Sequence, residues 1–129
     1  MSLNVAPELL EQAERGNIDE AAFVETVRTS LPYAYNLIGG LVTELQVGGA
    51  EFTDNQVPPA SEAERGQLLR AMASDAIRAS LERHFGVRLA FQNCHRVAAF
   101  RPDVDGDVYQ RFTSMRAQVL NQSPELRDC

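Results

Sequence analysis

The chain contains no lysine and no tryptophan, so all twelve of its basic residues are arginine. Arginine forms planar, bidentate contacts with carboxylates and phosphates that lysine cannot form. No basic segment is interleaved with aromatic residues in the way that stacks on single-stranded nucleic acid. The isoelectric point of about 4.8 also opposes general binding to a polyanion. We therefore expect no nucleic-acid partner.

Cysteines and long apolar runs are also scarce. Cys94 and Cys129 are the only cysteines, whereas small secreted domains usually carry several disulfide pairs. No apolar run approaches the roughly 18–20 residues that cross a bilayer, and the first residues lack the pattern of a secretory signal. We expect a single domain over residues 1–129 that is soluble and cytoplasmic, with reduced thiols and no membrane association.

Well-known catalytic motifs are missing. The sequence has no G-x-G-x-x-G, no Walker loop, no G-x-S-x-G and no C-x-x-C. These patterns mark dinucleotide, nucleotide, hydrolase and redox sites. The sequence therefore favours a protein that is not an enzyme and that has no cofactor.

The charged residues that are present are distributed unevenly. Residues 1–64 hold two arginines and eleven acidic residues, a net charge of −9. Residues 65–101 hold seven arginines and two acidic residues, a net charge of +5. An acidic half and a basic half favour head-to-tail or self-complementary pairing. We expect a protein partner or self-association, as a homodimer or as a subunit of a complex.

Apolar spacing predicts helices over most of the chain. The first covers residues 7–15, and the second begins at Asn17, whose side chain can form a capping box with Glu20. A third follows Pro32 and contains Gly39-Gly40, which indicate either the close approach of another helix or a local break. Further helices are predicted over residues 61–85 and 107–121.

Two of these helices have a predicted buried face. That of the helix over residues 61–85 is made of small and apolar residues, namely Leu69, Ala73, Ala76, Ile77, Ser80, Leu81 and His84. That of the helix over residues 107–121 follows the spacing i, i+4, i+7, i+11, at Val108, Phe112, Met115 and Val119. The connector over residues 48–60 has glycine and proline at its ends and no regular pattern, so it is either a structural or mobile loop or a binding loop.

Residues 87–101 fit two secondary structures. Val87, Leu89 and Phe91 alternate with polar or small residues, as in a strand, and Gln92-Asn93 can turn a hairpin. The same segment also places Val87 and Phe91 on one face of a helix. Gly86 and the β-branched start favour the hairpin. The predicted fold is mainly α, an irregular bundle of four to five helices with one short β-hairpin near residues 87–101.

The arginine-rich region and two tyrosines form the predicted binding surface. Arginine suits carboxylate recognition, and tyrosine supplies an apolar ring with a polar tip, which suits interfaces. The predicted residues are Arg78, Arg83, Arg88, Arg96, Arg101, Tyr33 and Tyr35. The function that this pattern favours is that of a small accessory, adaptor or assembly subunit.

QNCHRV, residues 92–97, is the best candidate for chemistry. Cys94 and His95 are adjacent, so in a strand their side chains point to opposite faces and cannot pair directly. A divalent transition-metal site or a reactive thiol would need further groups, and His84 and Asp103 are the candidates. A metal-binding or thiol-redox protein is therefore the alternative function.

Overall fold

The computed structural model describes residues 2–93, 95–103 and 106–120. Within these ranges the chain forms helices and a small sheet. The helices are α1 (Pro7–Glu14), α2 (Glu20–Ser30), α3 (Pro32–Gly48), α4 (Glu62–Ala73), α5 (Asp75–Phe85), α6 (Gly106–Phe112) and α7 (Met115–Leu120). The strands are β1 (Phe52–Asp54), β2 (Arg88–Gln92) and β3 (Arg96–Phe100). No described helix combines the length and the apolar character needed to cross a membrane.

The mainly α class is confirmed, and residues 87–101 form a hairpin rather than a helix. β2 and β3 pair antiparallel, from Arg88 opposite Phe100 to Gln92 opposite Arg96. Asn93 takes a positive φ of 51° at the turn. The expected count of four to five helices is too low, because the described part of the chain contains seven.

The predicted helix over residues 61–85 is two helices, which separate at Ser74. The backbone of Ser74 is extended (φ −90°, ψ 115°), and its hydroxyl accepts a hydrogen bond from the Ile77 backbone N–H at 3.3 Å. Ser74 therefore caps α5, and the prediction of one continuous helix over residues 61–85 is wrong. Ile77, Ser80 and Leu81 are buried as predicted, whereas Leu69, Ala73, Ala76 and His84 are exposed.

The predicted helix over residues 107–121 is also divided. Ser114 accepts a hydrogen bond from the Ala117 N–H at 3.1 Å and so caps the start of a separate helix, α7. Val108 and Phe112 are buried as predicted, but Met115 is 88% and Val119 69% exposed. In both predicted helices a serine near the middle supplies a cap where the apolar pattern alone gives no sign of an end.

The predicted Asn17 cap is wrong, whereas the Gly39-Gly40 pair is explained by packing at one of its two positions. Asn17 does not cap α2: the cap is Asp19, whose carboxylate accepts from the Ala21 N–H at 3.1 Å. Gly39 has a neighbour, since a Cβ there would lie 3.7 Å from the ring of Phe85, whereas a Cβ on Gly40 would meet nothing. The glycine pair thus allows close packing at one position, and α3 continues unbroken.

The sheet has the order β1-β3-β2 and is covered on both faces. One face packs on helices α2 to α5 through a first core that includes Leu89, Val97 and Ala99. The opposite face packs on α6 through a second core that includes Ala98, Phe100 and Phe112. Every residue of the central strand β3 is therefore buried, which is why its sequence VAAF is a continuous apolar run.

The connector over residues 48–60 contains the edge strand β1, which apolar spacing does not predict. β1 pairs antiparallel with β3, with Phe52 opposite Phe100 and Asp54 opposite Ala98. The pairing continues through Asn55, which is buried and whose side-chain oxygen accepts from the Val97 N–H at 2.8 Å. Part of this connector is thus a structural element.

Candidate functional site

Three of the predicted binding residues come together at one shallow groove, the α5–β2 groove. It lies where the end of α5 and the start of β2 meet α6, and it encloses about 510 Å³. Its lining residues are Arg78, Glu82, Arg83, Gly86, Val87, Arg88, Pro102 and Tyr109. Gly86 takes a positive φ of 69° and ends α5 as predicted, so the chain turns sharply and places Arg83 and Arg88 on the same groove.

Arg88 is the most distinctive side chain of the groove. Its guanidinium carbon lies 3.7 Å from the centroid of the Tyr109 ring, a cation–π contact. Arg88 is exposed and has no acidic partner within the described ranges. The ring positions the guanidinium and leaves its hydrogen-bond donors available to a carboxylate.

The other two arginines of the groove form surface ion pairs. Arg78 Nη2 lies 2.9 Å from Asp75, and Arg83 Nη2 lies 2.5 Å from Glu20. The hydrogen bond from Arg83, together with its positive charge, lowers the pKa of the Glu20 carboxyl. Exposed pairs of this kind contribute little to stability, so a bound acidic group can replace either carboxylate at little cost.

Two of the predicted binding residues are used inside the fold instead. Arg96 is buried and pairs with Asp54, with Nε 2.9 Å from the carboxylate. Arg101 donates to the carbonyl oxygens of Leu45 (2.6 Å) and Ala50 (2.8 Å), and so satisfies acceptors at the end of α3. Neither guanidinium lies on a shared surface with the α5–β2 groove, and for Arg96 the prediction of a surface residue is wrong because its charge is compensated internally.

The two predicted tyrosines lie on α3. Tyr35 Oη is 3.1 Å from His84 Nε2, and its ring packs beside Phe85 at 5.4 Å between centroids. Tyr33 is half-buried, and burial, followed by the negative charge of Glu64, raises the pKa of its hydroxyl. His84 is thus an exposed partner of Tyr35 and not a core histidine.

Of the predicted metal or thiol residues, the structure describes His84, His95 and Asp103, and it does not bring these three together. Cys94 lies outside the described residues. His84 comes before β2 and His95 after it, so at about 3.3 Å per residue the strand keeps the two imidazoles further apart than one metal ion can bridge. Asp103 is exposed beyond the far end of β3. Over the described ranges no three His, Cys, Asp or Glu side chains form a group that could hold a metal.

His95 nevertheless has an informative environment. It is 4% exposed, and its Nδ1 lies 2.7 Å from the carbonyl oxygen of Asn93. A carbonyl only accepts, so the short contact assigns the proton to Nδ1 and leaves a lone pair on Nε2. That buried Nε2 has no hydrogen-bond partner in the described structure. An unpartnered imidazole nitrogen of this kind is a metal-ligand type.

Sequence reasoning missed Asp54, the partner of Arg96, and it did not connect Tyr109 with Arg88. Tyr109 lies 21 residues after Arg88, and Asp54 lies 42 residues before Arg96. No local spacing connects either pair. The sequence shows only that Asp54 lies in the connector over residues 48–60 and that Tyr109 lies in the predicted helix over residues 107–121.

A family model described as NucS shadow ORF, whose name begins with KH, matches residues 1–129. No curated protein and no solved structure matches the chain.

Proposed function

The chain belongs to the NucS shadow ORF family, and we propose that it is an interaction protein whose α5–β2 groove binds an acidic segment of a protein partner. The observation that carries this proposal is the exposed Arg88, held over Tyr109 in a groove that Arg78 and Arg83 also line. Arginine and tyrosine are the residues that most often dominate binding energy at protein interfaces. In this role the protein acts as a small accessory, adaptor or assembly subunit.

Charge complementarity supports an acidic partner. Arg88 has no ion-pair partner to replace within the described ranges, and the other two ion pairs of the groove are exposed. Glu82 also lines the groove, but its carboxylate accepts a hydrogen bond from the Leu89 N–H at 2.9 Å. A carboxylate that reaches Arg88 gains a charge-assisted hydrogen bond without breaking a buried one. The acidic half of a second copy is one source of such carboxylates, so self-association is included in the proposal.

Fluorescence anisotropy tests the proposal. The probe is a short fluorescein-labelled Glu-Leu peptide, compared with a Lys-Leu peptide of equal length, and light scattering reports self-association in the same samples. We expect the acidic peptide to bind more tightly at low salt, and Arg88→Gln to weaken it about tenfold. Arg116→Gln, which alters an exposed arginine on α7, is the matched control. Equal binding of both peptides, or equal effects of both variants, would refute the proposal.

Nucleic acid is the alternative ligand for the α5–β2 groove, and the same variants test it. KH is also the name of a module that clamps a nucleic-acid backbone with a GXXG loop. This sequence contains no GXXG. Only Ser74 separates α4 from α5, so these two helices have no loop between them that could clamp a backbone. We therefore expect a labelled single-stranded oligonucleotide to bind more weakly than the acidic peptide. Tighter binding of the oligonucleotide, lost in Arg88→Gln, would replace the acidic segment with nucleic acid.

A metal or thiol function around Cys94 and His95 is a second proposal, supported by the unpartnered Nε2 of His95. A native mass spectrum of protein purified without chelator or added thiol distinguishes it from the first. Extra mass that matches a metal or a thiol adduct, and that disappears in Cys94→Ala and His95→Ala, would support this site. The sequence mass alone in the wild type would count against it.

A further inference from the structure

A second cavity, the β1–α6 cleft, lies on the opposite face of the sheet from the first core. It encloses about 300 Å³ between the edge strand β1, the central strand β3 and helix α6. This volume is at the lower end of the range for small-molecule sites. The lining residues are Phe52, Asp54, Gln56, Arg96, Val108, Arg111 and Phe112.

The polar wall of the cleft is a buried ion pair. The side chains of Arg96 and Asp54 are 4% and 7% exposed. Arg96 donates from Nε and from Nη2 to one oxygen of Asp54, and the Gln56 amide donates to the other. The carboxylate of Asp54 is therefore compensated within the protein and does not repel an anion as a free carboxylate would.

Arg111 adds an uncompensated positive charge to the cleft. It is exposed on α6 and has no ion-pair partner among the described residues. With one acidic and two basic residues in its lining, the cleft has a net charge of +1. This charge suits a ligand with a single negative charge and disfavours a cation.

The remaining wall is apolar and largely aromatic. The rings of Phe52 and Phe112 meet edge to face, with centroids 6.4 Å apart, and Val108 lies beside them in the same lining. Phe112 is 1% exposed and backs this wall, whereas the Phe52 ring is partly exposed. Such a wall favours a flat apolar body that packs on Phe52. The cleft thus offers an apolar wall, a compensated polar wall and one available guanidinium.

We propose that the β1–α6 cleft binds a small aromatic monocarboxylate, whose ring lies against the partly exposed Phe52 and whose carboxylate pairs with Arg111. A guanidinium and a carboxylate match in a bidentate, charge-assisted contact. The ligand is distinct from the acidic protein segment proposed for the α5–β2 groove, and neither proposal requires the other.

Fluorine NMR with para-fluorobenzoate tests this assignment on the intact protein. We expect the ligand resonance to broaden on addition of protein and to sharpen when benzoate is added in excess. Arg111→Gln should weaken binding about tenfold, the loss of one charge-assisted pair. Arg116→Gln is the matched control, because it removes an exposed arginine that does not line the cleft.

Two further measurements separate the cleft from the rest of the surface. Val108→Phe fills the cleft beside Phe112, and it should abolish binding while circular dichroism and thermal unfolding confirm that the variant is folded. Para-fluorobenzamide, which lacks the charge, should bind at least about tenfold more weakly than para-fluorobenzoate. The proposal is overturned if para-fluorobenzoate does not bind, if the amide binds equally well, or if a folded Val108→Phe or Arg111→Gln binds like the wild type.

Discussion

Arg96 and Asp54 form an ion pair that lies almost entirely inside the molecule. Burial removes both charges from water and so costs their hydration free energy. The attraction between Arg96 and Asp54 offsets this cost only while both partners are present. The network extends to Gln92, whose amide nitrogen donates to the Phe112 carbonyl oxygen and whose amide oxygen accepts from Arg96 at 3.4 Å. The pair therefore fixes α6 against the sheet as well as compensating its own charges.

Arg96→Met should lower the free energy of unfolding by about 3–5 kcal/mol, because it leaves the Asp54 carboxylate buried without its partner. Asp54→Leu combined with Arg96→Met should cost clearly less than the two single changes added together. Urea denaturation of the four proteins measures this cycle.

The matched control is the exposed pair Arg28–Glu25, whose side chains are 48% and 58% exposed. Arg28→Met should change the free energy of unfolding far less than Arg96→Met does. If the buried pair and this exposed pair lose equal stability, the burial of Arg96 is not what determines its contribution.

The Tyr33 hydroxyl should lose its proton at a higher pH than an ordinary tyrosine does. Its hydroxyl has a pKa raised above the ordinary value of 10.0, first by burial and second by the charge of Glu64. The folded state therefore holds the phenol proton more tightly than the unfolded state does. The stabilisation from this group is present below the unfolded pKa and is lost as the pH rises through the folded pKa.

Phenolate absorbance, taken as the difference between wild type and Tyr33→Phe, gives the titration of this one side chain. We expect a midpoint above pH 10.0 and a lower midpoint in Glu64→Gln, where the negative neighbour is removed. A midpoint at the ordinary value in the folded protein would contradict this assignment.

At the scale of single elements, two glycines should respond in opposite directions to alanine. Gly40 lies inside α3 with open space around it, so Gly40→Ala should stabilise the protein by about 0.5–1 kcal/mol. Gly86 ends α5 at a φ of 69°, so Gly86→Ala should destabilise it by about 1–2 kcal/mol. Thermal unfolding of both variants checks the pair, and two shifts of the same sign would contradict the assigned conformations.

The elements that sequence reasoning predicted well are those with strong local signals. Pro32 starts α3, Gly86 ends α5, and the alternation around Leu89 identifies the hairpin. The elements that it missed depend on competition between signals. Ser74 and Ser114 each sit within an apolar helical pattern, and only the three-dimensional packing decides that their hydroxyls cap a new helix.

Strand β1 shows why the remaining fold was out of reach. Three residues are too few for a periodic pattern, and the strand is defined by its partner, which lies more than forty residues later. The prediction of the site is limited by the same dependence on residues that are distant in sequence. An excess of arginine predicts Arg88 as a binding residue, yet whether a given arginine is exposed or buried depends on acidic residues such as Asp54 that are distant in sequence.

At the scale of the whole molecule, two cores share one sheet. The first core contains most of the buried residues, while the second is a small cluster around Phe100 and Phe112. Phe112→Ala should cost about 3–5 kcal/mol, since it empties the centre of the smaller core. Met115→Ala, a matched change in the next helix at a side chain that is 88% exposed, should cost under about 0.5 kcal/mol.

Chemical denaturation of the two variants measures both values. If Phe112→Ala were as mild as Met115→Ala, α6 would not be held by the second core, and the β1–α6 cleft would have no rigid wall.

The pairing of β1 with β3 has a consequence for the order of folding. β2 and β3 are joined by a short turn and can meet early, whereas Asp54 pairs with Ala98 across 44 residues of chain. Closing the longer loop costs more entropy, and contacts of large sequence separation slow folding. We expect φ-values to be high in the hairpin and low in β1. Since Phe52 and Asp54 line the cleft, the cleft then takes shape only in the last step of folding.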